Sequence, residues 1–267
     1  MEKNMLRELQ KVELEILVEV DKFCKKHHII YSLYAGTAIG AVRHHGYIPW
    51  DDDVDICMTR KELNRFRECW KQDPIPGYYF ENCLDDPCCG TTHAKIRKEG
   101  TLFISLGDDE SRGHHGIWID IFPLEKIQTG WSTINVYWHA AVLNLLTRAN
   151  ICMLNDSLGK SLIRKAVRMI PYSFRKLIIQ RLWQWASMND IKISGNYAWG
   201  SFSALYAFKY RFPSTLIDEI VPINFEGKSF SIYGNYDVML RNIYGDYMKL
   251  PPVEERICKH NPVKIHM

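Results

Sequence analysis

Apolar residues recur at intervals of three and four through the first part of the chain, which is the spacing of one face of an α-helix. The stripe consists of Leu6, Leu9, Val12, Leu17, Val20 and Phe23. It predicts an amphipathic helix over residues 4–27. The apolar run IIYSLY that follows predicts a short strand, and Gly36-Thr37 predicts a turn into a short helix over residues 37–43.

A second set of elements follows the loop HHGYIPW, in which Gly46 and Pro49 exclude a helix. The run VDICM predicts a buried strand, and TRKELNRFRECWKQ predicts a helix with Thr59 as its N-cap. Further strands are predicted at YYFEN, HAKIRK, TLFIS and GIWIDIFPL. The chain therefore alternates between short strands and helices up to about residue 130.

The second half of the chain has a different pattern. From Trp131 to about Asn189 the periodicity is helical, with an interruption at Pro171. The segment VPINFEGKSFSIYG then predicts a hairpin, and YDVMLRNIYGDY predicts a last helix before a proline-rich tail. This order predicts an α+β fold, in which a mixed sheet is flanked by helices and a helical subdomain is added. The expected division is a core at 1–130, a helical part at 131–210 and a C-terminal part at 211–267 that packs back on the core.

Composition limits the function classes. The 267 residues are 46% hydrophobic, so the chain can bury a core, and a net charge of +3 gives no reason to expect nucleic-acid binding. The charged N-terminus does not resemble a signal peptide, and no run is apolar enough to span a membrane. Eight cysteines without a secretory signal therefore favour reduced thiols in the cytoplasm. A zinc site at Cys83, Cys88, Cys89 and His93 stays open, although its spacing matches no standard zinc motif.

Four carboxylates lie within five positions in the sequence Asp-Asp-Asp-Val-Asp at residues 51–55. Runs of Asp are commonly solvated loops, and that alternative stays open. If the strand begins here, Asp53 and Asp55 share one face about 6.6 Å apart, while Val54 and Ile56 face the core. Two carboxylates on a rigid strand suit a divalent metal that also holds a phosphate, to which the backbone at Gly36-Thr37 could donate.

A third carboxylate, Asp120, interrupts the apolar strand GIWIDIFPL. A buried ionised Asp is costly without a partner, so it is either paired locally or part of the same site. Three strand carboxylates near a Gly-Thr turn describe the catalytic sheet of nucleotidyltransferase-type enzymes, which transfer phosphorus groups from nucleotides.

The segment YAGTAIGAVRHHGYIPWDDDVDICMTR resembles the signature of the LicD family, bacterial phosphocholine transferases related to fukutin and fukutin-related protein. The resemblance continues in HAKIRKEGT, GIWIDIFPLE, FEGKSFSI and YGDYMKLPPVEER, and leaves only about residues 131–210 without a specific motif. It implies a nucleotidyltransferase-like fold. The implied reaction moves phosphocholine from CDP-choline to a sugar hydroxyl of a cell-surface glycan, such as teichoic acid, lipopolysaccharide or capsule, and releases CMP.

The resemblance also implies roles for individual residues. The metal, Mg²⁺ or Mn²⁺, would be bound by Asp53 and Asp55, and Asp120 would be a further ligand or the general base for the acceptor. Asp51 and Asp52 would support the ligands or be solvated, and His260, in the C-terminal motif, has no assigned role. The predicted nucleotide and phosphate contacts are Gly36, Thr37, Arg43, Lys95 and Arg97. Choline requires aromatic faces for cation–π attraction, and the candidates are Trp50 and Trp118.

Two other functions stay open. A true nucleotidyltransferase would leave NMP on its acceptor and release diphosphate, and a non-catalytic member would only bind a glycan or a nucleotide. CDP-ribitol and CDP-glycerol are not excluded as donors. The acceptor is expected to be lipid-linked or on the cell surface.

The distribution of charge adds one expectation about location. Residues 157–189 contain seven Lys and Arg and no acid, so this segment is +7 while the rest of the chain is near −4. Its cations alternate with apolar residues, and Trp183 and Trp185 lie near its end. A basic amphipathic pair of helices is typical of a membrane-surface element, so peripheral contact with the inner face of the membrane is predicted.

Overall fold

The structure is a computed structural model that describes residues 2–106, 110–128, 131–149, 158–193, 195–201, 210–260 and 262–267. Its α-helices are α1 (Lys3–Lys26), α2 (Ala35–Ile39), α3 (Arg60–Gln72), α4 (Trp131–Arg148), α5 (Leu158–Met169), α6 (Tyr172–Lys192) and α7 (Tyr236–Tyr244). Its strands are β1 (Ser32–Leu33), β2 (Asp55–Thr59), β3 (Tyr78–Glu81), β4 (Ala94–Lys98), β5 (Leu102–Ser105), β6 (Trp118–Ile127), β7 (Ala198–Gly200), β8 (Phe212–Pro213), β9 (Ile220–Phe225), β10 (Lys228–Tyr233) and β11 (Pro262–His266). The predicted α+β class is confirmed.

The central sheet has the order β1-β2-β6-β4-β3, and β7 and β8 continue it from the far end of β6. The pairing of β2 with β6 is parallel, and the other pairings in this sheet are antiparallel. Because β6 is ten residues long, its first part lies between β2 and β4 while its last part pairs with β7. Strand β6 thus connects the carboxylate-bearing part of the sheet to its extension.

Helix α1 covers one face of this sheet. All six residues of its predicted apolar stripe are buried, and all of them except Leu6 pack in one core cluster with Ile56, Ile96 and Ile119 of three neighbouring strands. Burial of apolar surface is the main source of stability for such a layer. The predicted start of α3 is also confirmed, because the Thr59 hydroxyl accepts a hydrogen bond of 3.2 Å from the backbone N–H of Glu62.

A buried ion pair connects α3 to β6 and contacts α6. The side chains of Arg60, at the start of α3, and Glu125, on β6, are each 1% exposed, and Arg60 Nε donates to Glu125 Oε1 at 2.9 Å. The Arg60 guanidinium also lies 4.0 Å from the centre of the Trp183 ring on α6. This pair ties the helical segment to the strand that carries Asp120.

Several elements differ from the prediction. Strand β1 spans two residues, and α2 begins at Ala35 instead of at residue 37 because Tyr34 already has the extended backbone of an N-cap. A π-helix at Gly40–His44 extends α2. The proline-rich tail contains β11, which pairs with β5 from more than 150 residues away. The sequences of β7, β8 and β11 have no strong strand pattern. Their partner strands, and not their own residues, set the pairing.

The helical segment and the C-terminal segment both contact the core. Helix α6 lies against α3 and β6, and β10 lies beside β1. The domain boundaries at residues 130 and 210 stay predictions. Across the part of the chain that the structure describes, no helix has both the length and the apolar character needed to cross a membrane.

Candidate active site

The register of the central sheet brings a carboxylate, a second carboxylate and an amine side by side. Asp55 on β2 is directly opposite Asp120 on β6, and Asp120 is directly opposite Lys95 on β4. Directly opposite residues of neighbouring strands project from the same face, so the three side chains share one surface of the sheet. The predicted convergence of Asp55 and Asp120 therefore follows from strand pairing.

Asp120 has the partners that a buried carboxylate requires. Its Oδ1 lies 2.7 Å from Lys95 Nζ and 3.1 Å from His93 Nε2, and its Oδ2 accepts the Trp118 indole N–H at 3.1 Å. Burial on its own would raise the pKa of Asp120, but the positive charge of Lys95, followed by His93, outweighs it and holds the pKa below the ordinary range. In this state Asp120 is an ionised carboxylate and a weak base.

Three further carboxylates meet in the loop before β2. Asp51, Asp52 and Asp53 each place one carboxylate oxygen within 4.8 Å of an oxygen of the other two. Among the described residues, no other three His, Cys, Asp or Glu side chains come this close together. The loop is anchored from α1, since Gln10 Nε2 donates to the Asp51 carbonyl at 2.9 Å. Residues 51–54 precede the strand, so the loop backbone and not strand alternation brings Asp53 into this group.

Crowding of these carboxylates disfavours their charged forms. Burial, and then the neighbouring charge of Asp53, raise the pKa of Asp51 to about 8. The pKa of Asp55 is also raised, by burial and by Asp53 and Asp120, and burial raises that of Asp53. Like charges held in a partly desolvated site require either protons or a cation. An all-oxygen donor set of this kind fits Mg²⁺ or Mn²⁺ better than zinc.

Asp52 has a different environment from its neighbours. Its carboxylate accepts the backbone N–H groups of Lys259 at 3.2 Å and His260 at 2.8 Å. The His260 ring places Nδ1 3.4 Å from Asp52 Oδ1 and 4.0 Å from Asp53 Oδ2. The neighbouring carboxylates of Asp52 and Asp53 raise the pKa of His260. Asp52 thus holds the C-terminal segment against the site.

The Gly-Thr pair lies beside the same loop. The Thr37 hydroxyl accepts a 2.8 Å hydrogen bond from the backbone N–H of Asp55, which fixes the start of β2. A Cβ at Gly36 would lie 2.6 Å from Asp51 Oδ2, so a side chain at this position would displace the Asp51 carboxylate. Both residues contact the carboxylate loop, and their predicted contact with phosphate stays a prediction.

The three predicted phosphate-binding cations differ in position. Lys95 contacts Asp120, as described above. Arg97, two residues further along β4, pairs with Glu81 and donates to the Gly116 carbonyl at 2.9 Å. Arg43 donates to the carbonyl oxygens of Tyr247 and Lys249. Of these cations, Lys95 is the one placed against a site carboxylate.

The two candidate choline-binding tryptophans already have cationic neighbours. Lys95 Nζ lies 4.3 Å and Arg97 Cζ 5.0 Å from the centre of the Trp118 ring. Arg256 Cζ lies 5.4 Å from the centre of the Trp50 ring. Both rings therefore accept cations in this structure. Their contact with choline stays a prediction.

Sequence reasoning missed one residue of the site and gave His93 no role there. Glu13 on α1 is 3% exposed, its Oε2 has no hydrogen-bond partner among the described residues, and burial, followed by the charge of Asp53, raises its pKa. Its position on the apolar face of α1 was the available signal. His93, considered only as a zinc ligand, contacts Asp120 instead. Cys83, Cys88 and Cys89 form no ligand group with it in the described part of the chain.

Comparison with known proteins bears on this site. The family model for the nucleotidyltransferase domain of LicD, FKTN and FKRP matches residues 28–141, a range that contains Asp51, Asp53, Asp55, Lys95 and Asp120. A lipopolysaccharide cholinephosphotransferase named LicD, from Haemophilus influenzae, is 30% identical over an alignment that covers 97% of each chain. The chain belongs to the LicD family. It is accordingly a transferase with a nucleotidyltransferase-like core.

Two partial relatives extend the comparison. An uncharacterised protein of Rickettsia typhi is 29% identical over 46% of this chain and 40% of its own length. An uncharacterised protein of Rickettsia prowazekii is 28% identical over 50% of this chain and 52% of its own length. Neither name describes an activity.

Proposed function

We propose that this LicD family member transfers phosphocholine from CDP-choline to a hydroxyl of a cell-surface glycan, with a divalent metal, and releases CMP. The observation that carries the proposal is the similarity to the Haemophilus influenzae protein along nearly the whole chain, since that protein is named a lipopolysaccharide cholinephosphotransferase. Lipopolysaccharide is therefore the first acceptor to test. The carboxylate site supports the same reaction class.

The reaction joins the acceptor oxygen to the phosphorus that carries choline and breaks the bond from that phosphorus to an oxygen of CMP. The acceptor hydroxyl loses its proton, and CMP leaves with the electron pair of the broken bond. Such displacements depend on positioning and on neutralisation of charge. Side chains that supply either contribution are the candidates for catalysis.

The acidic loop is the proposed metal site. Asp53 and Asp55 would bind the ion, and Asp51, whose carboxylate belongs to the same crowded group, is an additional candidate ligand. When bound, the ion would neutralise negative charge on the diphosphate of the donor. The raised pKa values of Asp51 and Asp55 support this assignment, because burial and then repulsion between the carboxylates raise them, and a bound cation would oppose both effects.

Lys95 and Asp120 are proposed to act together. Lys95 Nζ lies between Asp120 Oδ1 and the Trp118 ring, and it can turn toward a donor phosphate placed on the same face of the sheet. The loss of the Lys95 contact would raise the pKa of Asp120 and make it a better base. Asp120 would then orient the acceptor hydroxyl and accept its proton.

The experiment is to incubate the purified protein with CDP-choline, CDP-ribitol or CDP-glycerol, Mg²⁺ and lipopolysaccharide, and to measure CMP release and product mass. A product heavier by one phosphocholine, formed with CMP and abolished by EDTA, is the expected result. Diphosphate release with NMP on the acceptor would establish the nucleotidyltransferase alternative. Donor binding without any released nucleotide would favour the non-catalytic alternative.

A further inference from the structure

The helices α5 and α6 leave a large apolar surface uncovered. Leu162 and Met169 on α5 are 64% and 84% exposed, and Phe174 on α6 is 63% exposed. Other large apolar side chains of the two helices and of the bend between them that are at least 38% exposed are Ile163, Ile170, Leu177, Ile178 and Met188. We call these eight residues the α5–α6 face.

The residues of the α5–α6 face are grouped on one side of each helix. On α5 the exposed apolar positions are 162, 163 and 169, which are spaced as neighbours on one side of the helix, and Ile170 directly follows the helix, while Val167, at the edge of that side, is buried. On α6 the positions 174, 177, 178 and 188 form a similar stripe, opposite the buried Ile179 and Trp183. Each helix therefore buries some apolar side chains in the core and leaves others uncovered.

The part of the chain that carries this face has a large excess of positive charge. Residues 131–189 contain eight Lys and Arg but a single acid, Asp156. Lys165 and Arg181 are exposed and Lys176 is partly exposed, at positions next to the apolar stripes. A partner that covers the face must accept both apolar side chains and a concentration of positive charge.

We propose that the α5–α6 face binds the surface of a bilayer that contains anionic phospholipids. Apolar side chains would enter the region between headgroups and acyl chains, and the lysines and arginines would lie at the phosphate level. A second copy of the chain fits less well, because a symmetric contact would bring the same cations together without acids to balance them. The proposal does not depend on the identity of the transferred group.

The position of α6 gives membrane contact a role in catalysis. Helix α6 packs against β6, the strand that carries Asp120. A surface held on the membrane at α6 would therefore keep the catalytic sheet close to a lipid-linked acceptor.

The test is co-sedimentation of the full chain with vesicles of phosphatidylcholine alone or with 30% phosphatidylglycerol (about the composition of an anionic leaflet), at low and high salt. We expect binding to the anionic vesicles that weakens with salt. The triple variant Lys165→Gln, Lys176→Gln and Arg181→Gln should reduce the partition coefficient about tenfold or more. A matched control that removes three exposed lysines elsewhere, at positions 3, 61 and 228, should leave at least half of the binding.

A second pair of variants tests the apolar part. Leu162→Ser with Phe174→Ser should reduce binding about tenfold, because two large side chains no longer enter the bilayer. Ile30→Ser with Leu106→Ser, at exposed positions outside the face, is the control. All substitutions are at surface positions, and thermal unfolding checks that each variant is folded. Equal sedimentation with neutral and anionic vesicles would overturn the proposal, as would a dimer in light scattering that only the Leu162 and Phe174 variant dissociates.

Discussion

The raised pKa of Asp51 makes a stability prediction about the protein without metal. A carboxyl that is protonated in the folded state and ionised in the unfolded state destabilises the fold as pH rises. The contribution of this carboxyl to the unfolding free energy is complete below its pKa in the unfolded chain, near 3.8. It is lost as pH rises through its pKa in the folded protein, about 8. The metal-free protein should therefore be more stable at pH 5 than at pH 7.5.

The magnitude follows from the shift. With pKa values of 3.8 and about 8, the linkage relation gives a loss of about 3 kcal/mol in unfolding free energy between pH 5 and pH 7.5. For a chain of 267 residues this corresponds to a fall of roughly 6 °C in Tm. His260 contributes in the same direction, since Asp52 raises its pKa.

The assay is thermal unfolding in EDTA at pH 5 to 8, repeated with Mg²⁺. Because the ion binds the ionised carboxylates, the increase in Tm that Mg²⁺ produces should grow with pH. Asp51→Asn should remove about half or more of the pH dependence in EDTA, while Asp218→Asn, at an exposed position, should leave it unchanged. A Mg²⁺ effect that is equal at pH 5 and pH 8, or an Asp51→Asn variant with the wild-type slope, would refute the reasoning.

Four other outcomes are expected. Asp53→Asn should lower CMP release about 10²-fold or more without lowering Tm in EDTA, and full activity of this variant would contradict the metal assignment. Asp120→Asn should lower kcat far more than it weakens CDP-choline binding, and equal losses would make Asp120 only a ligand. Glu125→Gln should cost about 3 kcal/mol in urea unfolding, because it leaves the Arg60 charge buried without its partner. Trp118→Leu should change the ratio of CDP-choline to CDP-ribitol turnover, and an unchanged ratio would remove this ring from choline selection.

Local patterns in the sequence were sufficient for the elements that carry their own signal. The apolar stripe of α1, the Thr59 cap of α3 and the hairpin of β9 and β10 each depend on residues a few positions apart. The acidic loop and Asp120 were also identifiable, because carboxylates next to apolar strands are costly unless the fold provides for them. Even the unusual charge of α5 and α6 is a property of the sequence.

The sequence by itself therefore determined most of the carboxylates of the site, and the tertiary structure decided how they meet and added Glu13 and His93 to them. The loop backbone, and not strand alternation, groups Asp53 with Asp51 and Asp52. The register between β4 and β6 selects Lys95 as the partner of Asp120, and a one-residue slip would turn Lys95 to the opposite face. His260 reaches Asp52 from 208 positions away. Contacts of this kind depend on pairing between distant segments, and no local pattern encodes them.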